Sequence, residues 1–320
     1  MFLVRYTRRC CKKPVSYTES FFSARADRAG QKMLRYDLHS HSTASDGTVS
    51  PAELLRHAAA QGVDVLALTD HDVTTGLAEA ERAAVELGVS LVPGVEISVT
   101  WAHQLLHIVG LGIDPRDESL QRGLAGLREF RIRRAEEIGR RLEKRGIEGA
   151  YAGAQSLAKG PSIGRTHFAR FLVTQGKAGD IQEAFDRYLK RGKPGYVPGQ
   201  WASLTEAVGW ICAAGGQAVI AHPARYPLSA GRFRDLLTEF KEAGGAALEV
   251  ISGSHPHGMT PALANYAQRF GLLASVGSDY HGPGQSYNEL GRLPALPAVC
   301  VPVWENWELP QQRQRSSAAL

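Results

Sequence analysis

The stretch VDVLALTDHD (63–72) joins a short, mostly apolar run to a polar end that contains Asp70, His71 and Asp72. A run of this length that stops at polar residues is typical of a strand buried on both faces of a sheet. Further runs of the same kind follow along the chain: VSLVPGVEIS (89–98), LLHIVGLG (105–112), QAVIAHP (217–223), GAALEVISG (245–253) and LLASVGSDYH (272–281).

Helical segments separate most of these runs. SPAELLRHAAAQG (50–62) begins with Ser50, a favoured N-cap residue, and has Pro51 at its first helical position. LAEAERAAVELG (77–88) ends at a glycine, and FRDLLTEFKEAGG (233–245) and TPALANYAQRFG (260–271) separate the late runs in the same way. Strands that alternate with helices predict an α/β fold whose parallel sheet is covered on both sides.

The segment between residues 114 and 198 has a different pattern. A long arginine-rich helical stretch (120–146) is followed by GRTHFARFLVTQG (164–176) and DIQEAFDRYLK (180–190), with no strand signal between them. Because the strand pattern resumes afterwards, an all-helical insertion explains the segment better than a second independent domain. The predicted division is an extension over 1–33, a first α/β part over 34–113, the insertion over 114–198, a second α/β part over 199–305 and a tail over 306–320.

The net excess of positive charge lies at the N-terminus. The chain has 37 basic and 32 acidic side chains, a net charge of +5, but residues 1–32 alone hold eight basic and two acidic ones, so the rest sums to −1. A near-neutral body argues against a protein drawn as a whole to polyanions. Three interpretations of the extension stay open: translation that begins at Met33, a disordered functional arm, or a targeting segment.

Cysteine usage and hydropathy narrow the setting. Of four cysteines only Cys212 and Cys300 lie in the body, with no CxxC spacing, so neither a disulfide framework nor a thiolate zinc site is supported. No segment approaches about 18 consecutive apolar residues, so no membrane span is expected. We therefore expect a cytoplasmic protein, with no membrane and no obligate protein partner.

Histidines and acids fall where the apolar runs end. His39 and His41 are two residues apart at the end of the first strand, so both project to the same side of it. In parallel α/β barrels the carboxyl ends of the strands form the active-site face, so the candidates should converge there. The candidate ligands are His39, His41, Asp46, His71, Glu96, His107, His222, Asp279 and His281.

These nine candidates are too many for one ion. All are nitrogen or oxygen donors, which suits Mn, Fe, Zn or Co better than a sulfur-selecting metal. Clusters of several ions usually hydrolyse phosphate esters, because the ions lower the pKa of a bound water to give an attacking hydroxide and neutralise the phosphate oxygens. Amide hydrolysis uses related sites, so the chemistry of the ligands alone does not decide between hydrolysis of phosphate esters and hydrolysis of amides.

Six ordered motifs resemble those of the PHP phosphoesterase superfamily, from residue 34 to residue 304. The resemblance implies a distorted (β/α)7 barrel with an all-helical insertion and a centre of three divalent ions, most often Mn2+, with Fe2+ or Zn2+ as alternatives. The motifs are DLHSHSTASDG (37–47), LALTDHD (66–72), PGVEIS (93–98), HIVGLG (107–112), IAHP (220–223) and GSDYH (277–281).

The resemblance also assigns each candidate ligand to an ion, with Glu96 as the bridging carboxylate. By this match the first ion is held by His39, His41, Glu96 and Asp279, the second by Glu96, His107 and His222, and the third by Asp46, His71 and His281.

Within the superfamily, the insertion and the motif GRTHFAR (164–170) look most like the branch of 3′,5′-nucleoside bisphosphate phosphatases and 5′-3′ exoribonucleases. That likeness implies a nucleoside 3′,5′-bisphosphate or short 5′-phosphorylated RNA as substrate, contacted by Arg131, Arg134 and Arg165. Thr166 stands where that branch often has proline. Arg131 and Arg134 are three residues apart on a helix and share a face, and a guanidinium offers a planar fork to a phosphate.

Several functional details stay open. His281 is a candidate substrate contact, and either His281 or His222 is a candidate proton donor to the leaving oxygen, although both are also expected ligands. Histidinol phosphatase is an alternative activity, since its substrate needs no second phosphate clamp. The non-enzyme alternative is a basic nucleic-acid-binding module, which rests on charge alone.

Overall fold

A computed structural model of the protein describes residues 34–160, 162–256, 258–285 and 288–307. The predicted extension over 1–33 lies outside these residues, and so does the predicted C-terminal tail beyond residue 307. No helix of the described ranges is both long and apolar enough to cross a membrane.

In the described part of the chain, seven strands form one sheet in the order of the sequence, from β1 to β7. The last strand returns to the first: the Leu38 amide donates to Val276 at 2.9 Å, and the His41 amide donates to Tyr280 at 2.8 Å. The predicted distorted (β/α)7 barrel is therefore confirmed. The strands are β1 Tyr36–Asp37, β2 Val65–Leu68, β3 Ser90–Trp101, β4 Gln104–Leu111, β5 Gln217–Ile220, β6 Ala247–Ser252 and β7 Leu273–Gly277.

The sheet is not wholly parallel, and here the prediction is wrong. β4 pairs antiparallel with both β3 and β5, whereas the other neighbours are parallel. The connection between β3 and β4 is only Ala102 and His103, both with positive φ, which is the conformation of a tight hairpin turn. A crossover helix needs about a dozen residues, so this link forces the reversal. A run that is apolar on both faces carries no signal of strand direction.

Helices cover the outside of the barrel. α1 begins at a capping box in which Ser50 and Glu53 satisfy each other's backbone amides, and α7 has the same arrangement at Ser203. The helices are α1 Pro51–Ala60, α2 Leu77–Leu87, α3 Glu118–Glu143, α4 Ala150–Leu157, α5 Arg165–Thr174, α6 Ile181–Ala184, α7 Leu204–Ala213, α8 Ala230–Glu242 and α9 Thr260–Phe270, with a π-helical turn at Phe185–Leu189 and a 3₁₀ turn at Pro223–Arg225.

The long helix α3 links two hydrophobic cores. Its first half packs into the barrel core through Leu120 and Leu124, and its second half packs through Ile138 into a separate core that includes Phe168 and Leu172 of α5. The helical segment between β4 and β5 is therefore attached to the barrel through one continuous helix, α3. This attachment fixes where the arginines of α3 lie relative to the strand ends.

Candidate metal centre

All nine candidate ligands lie at one end of the barrel, which we call the donor rim. His39 and His41 follow β1, and their Nε2 atoms point to the same side, 3.1 Å apart. Both imidazoles are fully buried. The antiparallel β4 contributes from its first half, since His107 lies opposite Ser98 in the β3–β4 register.

Glu96 lies at the centre of the rim and is fully buried. Its Oε1 is 2.9 Å from His107 Nδ1 and 3.1 Å from His222 Nε2. Its Oε2 is 2.9 Å from His71 Nδ1 and 3.3 Å from His41 Nε2. A carboxylate with imidazoles on both oxygens has the geometry that a bridging ligand requires.

The two aspartates complete the rim on either side of Glu96. Asp279 Oδ1 lies 3.5 Å from His39 Nε2 and 3.4 Å from His41 Nε2. Asp46 Oδ1 lies 3.4 Å from His281 Nε2 and 3.9 Å from His71 Nε2. Donor atoms at metal bonds of about 2.0–2.2 Å are roughly 3–3.5 Å apart. The two Asp279 distances and the distance from Asp46 to His281 lie in this range, and the distance from Asp46 to His71 is longer.

Unsatisfied buried atoms show that this donor set fits metal ions. His71 Nδ1 and Glu96 Oε2 are 2.9 Å apart, yet within the described part of the chain neither makes a hydrogen bond, and Asp46 Oδ1 makes none there either. Buried polar atoms without partners are costly in a folded protein. Among the described residues, three groups could each hold an ion, because inside each group the ligand atoms lie within 4.8 Å of one another. The groups are His39, His41 and Asp279; His71, Glu96 and His107; and His41, Asp46, His71 and His281.

Electrostatics inside the rim couples the acids to the imidazoles. Burial alone would raise the pKa of Glu96, but His107, His71 and His39 hold it well below its usual range. Burial alone would lower the pKa of His41, but the carboxylates of Asp279 and Glu96 raise it to about 10. Without ions the rim therefore shares protons among its groups, and ions that bind there must displace these protons.

The three predicted substrate arginines lie next to this rim, and we call them the arginine clamp. Arg131 donates to Asp72 Oδ2 at 2.6 Å and to Ser98 Oγ at 2.9 Å. Arg134 is 7% exposed and donates to the Val197 carbonyl at 3.1 Å. The guanidinium groups of Arg131 and Arg134 lie 5.0 Å and 5.4 Å from the ring centre of one tryptophan, Trp201, which holds them side by side.

The clamp brings positive charges close together. Burial, with the neighbouring Arg165 and Arg131, lowers the pKa of Arg134 to about 9. Burial and Arg131 also lower the pKa of Arg165, which lies over the ring of Phe185. Within the described part of the chain, neither Arg134 nor Arg165 forms an ion pair with a carboxylate. Buried cations without anionic partners are the feature expected of a phosphate site.

Helix α5 joins the insertion to the rim. The Thr166 hydroxyl donates to Asp46 Oδ2 at 3.0 Å, and Arg170 donates to the Asp46 carbonyl at 2.8 Å. These two residues lie one turn apart on α5, and Arg165 begins the same helix. Thr166, which stands where the related branch often has proline, therefore contacts the candidate ligand Asp46.

Sequence reasoning missed three residues of the site. Arg225 donates to Asp279 Oδ2 at 3.1 Å and is half-exposed toward solvent. Glu249 contacts His39 and the backbone of His222, and Asp72 holds Arg131. The signal for Glu249 was a charged residue inside the otherwise apolar run 245–253, while Arg225 carries no signal beyond its place after a His-Pro turn.

A closed α/β barrel whose rim gathers buried histidines and carboxylates around one glutamate is typical of metal-dependent hydrolases. The PHP domain model matches residues 37–197. The chain belongs to this family, as the six motifs predicted.

Named relatives narrow the branch. The 3′,5′-nucleoside bisphosphate phosphatase of Chromobacterium violaceum is 48% identical over 277 residues, 86% of this chain and 97% of that protein. The 5′-3′ exoribonuclease Rnm of Escherichia coli is 46% identical over 278 residues, 86% of this chain and 94% of that protein. These relatives are named for the two activities that the sequence resemblance implied, and they confirm that branch of the family.

Solved structures agree with the fold. An amidohydrolase from Chromobacterium violaceum, with bound sulfate and no metal, superposes with a TM-score of 0.84 at 46% identity. The match covers 88% of this chain and 100% of that one.

Proposed function

We propose that this protein is a metal-dependent phosphoesterase that removes the 3′-phosphate of nucleoside 3′,5′-bisphosphates and releases 5′-terminal nucleotides from short RNA. The names of relatives that share nearly half of its residues support both activities. The observation that carries the proposal is the arginine clamp beside the donor rim: Arg134 and Arg165, which form no ion pair with a carboxylate of the described residues, lie next to a cluster of metal-ligating groups, and Asp72 holds Arg131 beside them.

The donor rim and the clamp suit a substrate with two anionic groups. Arg131 is fixed to Ser98 and Asp72, close in sequence to Glu96 and His71, so the clamp lies directly beside the rim. One phosphate is bound at the rim while Arg134 and Arg165 hold the other. Histidinol phosphate has only one phosphate and leaves the clamp without an anion, so it is the weaker candidate.

We propose three divalent ions, most often Mn2+, with the nine rim residues as their ligands. Their partition follows the motif match, in which Glu96 bridges the first and second ions and Asp46, His71 and His281 hold the third. When bound, such ions lower the pKa of a water ligand, orient it for attack and neutralise phosphate oxygens.

The protein's own groups prepare this chemistry. His281 Nδ1 lies 2.8 Å from the Asp279 carbonyl, and because a carbonyl only accepts, Nδ1 carries the proton and Nε2, 3.4 Å from Asp46 Oδ1, is the nitrogen that would bind an ion. Arg225, tied to Asp279 on the solvent side, has further N–H groups for the phosphate bound at the rim. Of the two histidines considered as proton donors, His281 is the more exposed, at 20% against 5% for the His222 side chain.

We also place the enzyme in the cytoplasm. Cys300 is a buried free thiol, which suits a reducing compartment.

A substrate panel tests the proposal. Turnover by the Mn2+-loaded protein is measured on adenosine 3′,5′-bisphosphate, a 5′-phosphorylated oligoribonucleotide, its 5′-hydroxyl counterpart and histidinol phosphate. We expect the highest kcat/KM on the bisphosphate and cleavage of the 5′-phosphorylated RNA. Faster turnover of histidinol phosphate than of the bisphosphate would contradict the proposal.

A further inference from the structure

Glu249 lies beneath the donor rim, on β6, and is 2% exposed. The β6–β7 register shifts between Glu249 and Ile251. A bulge of this kind turns a side chain away from the regular alternation of the strand, and here it brings an otherwise costly buried carboxylate under two candidate ligands.

One oxygen of Glu249 fixes an imidazole. Glu249 Oε1 lies 3.0 Å from His39 Nδ1. A carboxylate accepts this hydrogen bond, so Nδ1 carries the proton and His39 Nε2 is left as the donor atom, which is the atom that lies between Glu96 and Asp279. A carboxylate in this position also makes the imidazole a more basic ligand.

The other oxygen of Glu249 fixes a backbone. Glu249 Oε2 accepts from the His222 amide at 2.5 Å. His222 has φ 29° and ψ 55°, a left-handed conformation that residues other than glycine seldom adopt. The hydrogen bond holds the chain in the turn that directs the His222 imidazole at Glu96.

Gly277 leaves the space that this arrangement needs. A Cβ at Gly277 would lie 2.2 Å from His39 Cβ and 2.5 Å from Glu249 Oε1. Any larger residue would therefore push His39 and Glu249 apart. The contact between His39 and Glu249 therefore depends on the close approach of β7 at Gly277.

We propose that Glu249 is a positioning residue that orients His39 and His222 together, and so links the geometry of two ion sites through one carboxylate. The proposal rests on the proposed function only in that the rim binds divalent ions. Glu249 takes no part as a ligand, because its two oxygens are already engaged by His39 and by the His222 backbone.

The test is Glu249→Gln, which keeps the size of the side chain. In either orientation its amide offers only one acceptor, so His39 or the His222 amide loses its bond. Mn2+ is titrated into the chelator-treated full chain by calorimetry, and Co2+ is added separately to record its visible absorption spectrum. We expect Mn2+ affinity to fall about 10- to 100-fold and the Co2+ spectrum to change.

Asp37→Asn is the matched control. Asp37 is also a fully buried barrel carboxylate, but the groups that donate to it are the backbone amides of Ser278, Gly291 and His39, and no imidazole of the described residues does so. We expect this variant to keep the wild-type Mn2+ affinity and Co2+ spectrum. Gly277→Ala provides a second route to the same displacement and should weaken Mn2+ binding as Glu249→Gln does.

The outcomes separate the two proposals. Unchanged Mn2+ affinity and an unchanged Co2+ spectrum in folded Glu249→Gln and folded Gly277→Ala would overturn the role of Glu249, whatever the substrate. Weaker Mn2+ binding in Glu249→Gln with no bisphosphate turnover by the wild-type protein would support Glu249 and contradict the proposed function instead.

Discussion

The guanidinium Nε of Arg131 lies 2.6 Å from Oδ2 of Asp72, a fully buried carboxylate one residue after His71. The second oxygen of Asp72 accepts from the Ser98 amide at 2.8 Å. One carboxylate thus ties the insertion helix α3 to the strand ends of β2 and β3. The position of the arginine clamp is set by the same strand ends that carry the candidate ligands.

Replacing Arg131 by alanine should weaken turnover of the bisphosphate. A hydrogen bond to a charged group contributes about 1.5–3 kcal/mol, so we expect kcat/KM for adenosine 3′,5′-bisphosphate to fall roughly 10- to 100-fold. Arg133→Ala on the same helix is the control, because Arg133 is exposed and, among the described residues, forms an ion pair with Glu129 alone. An equal loss in both variants, or an equal loss on histidinol phosphate, would argue against the clamp.

Asp72→Asn should loosen Arg131 without removing it. The guanidinium then loses its charged partner and the clamp is less well oriented. We expect KM for the bisphosphate to rise about tenfold with little change in kcat, because binding rather than the reacting centre is affected. Steady-state kinetics checks this, and a fall in kcat at unchanged KM would contradict the assigned role.

Glu96→Ala should abolish both metal binding at the centre and turnover. Ions that bind only the folded state stabilise it by about 2.7 kcal/mol when present at 100 times their Kd, so Mn2+ should raise the Tm of the wild-type protein. The variant should lose most of that rise. Turnover that persists after complete removal of metal from the wild-type protein would exclude a metal-dependent mechanism.

The motifs were enough to predict the barrel and to select candidates that the fold brings together. Histidines and acids at the carboxyl ends of parallel strands converge on one face of an α/β barrel, so the grouping of His39 with Asp279 follows from periodicity and fold class. The direction of β4 was not predictable from its apolar run. The direction of β4 is instead set by the link at Ala102 and His103, because two residues are too few for a crossover to a parallel strand.

Residues that act through tertiary contacts were harder to find. Arg225 reaches Asp279 across 54 positions of sequence, and Glu249 reaches His39 across 210. No local period links such pairs, because they meet only once the sheet closes. The sequence does hold a weak sign of Glu249: a charged residue in a buried strand needs a partner.

Thr166→Val should weaken ion binding at the Asp46 side of the rim. The variant loses the 3.0 Å bond from the hydroxyl to Asp46 Oδ2 and leaves that oxygen less well oriented. A hydrogen bond to a charged group contributes about 1.5–3 kcal/mol, so the weakest Mn2+ affinity should fall roughly 10- to 100-fold in calorimetric titrations. Thr166→Ser keeps the hydroxyl and should behave as wild type; if it matches the valine variant, the hydroxyl is not responsible.

His167 should make the stability of the protein depend on acid. Its Nδ1 accepts from the Gly164 amide at 3.0 Å at the start of α5, which only the unprotonated nitrogen can do. Burial lowers the pKa of His167 to about 4, with the charges of Arg170 and Arg131 acting in the same direction and Asp46 against it.

The unfolded chain takes up this proton near pH 6.5, whereas the folded protein resists it down to about pH 4. The contribution of His167 to the free energy of unfolding is therefore fully present above pH 6.5. It falls as the pH drops through this window, by about 2 kcal/mol between pH 7 and pH 5. His167→Gln keeps an acceptor at the third position of the helix and does not titrate. Urea unfolding with a chelator present should thus show the wild-type protein losing about 2 kcal/mol more than the variant over this range, and parallel losses would show that folding does not change the pKa of His167.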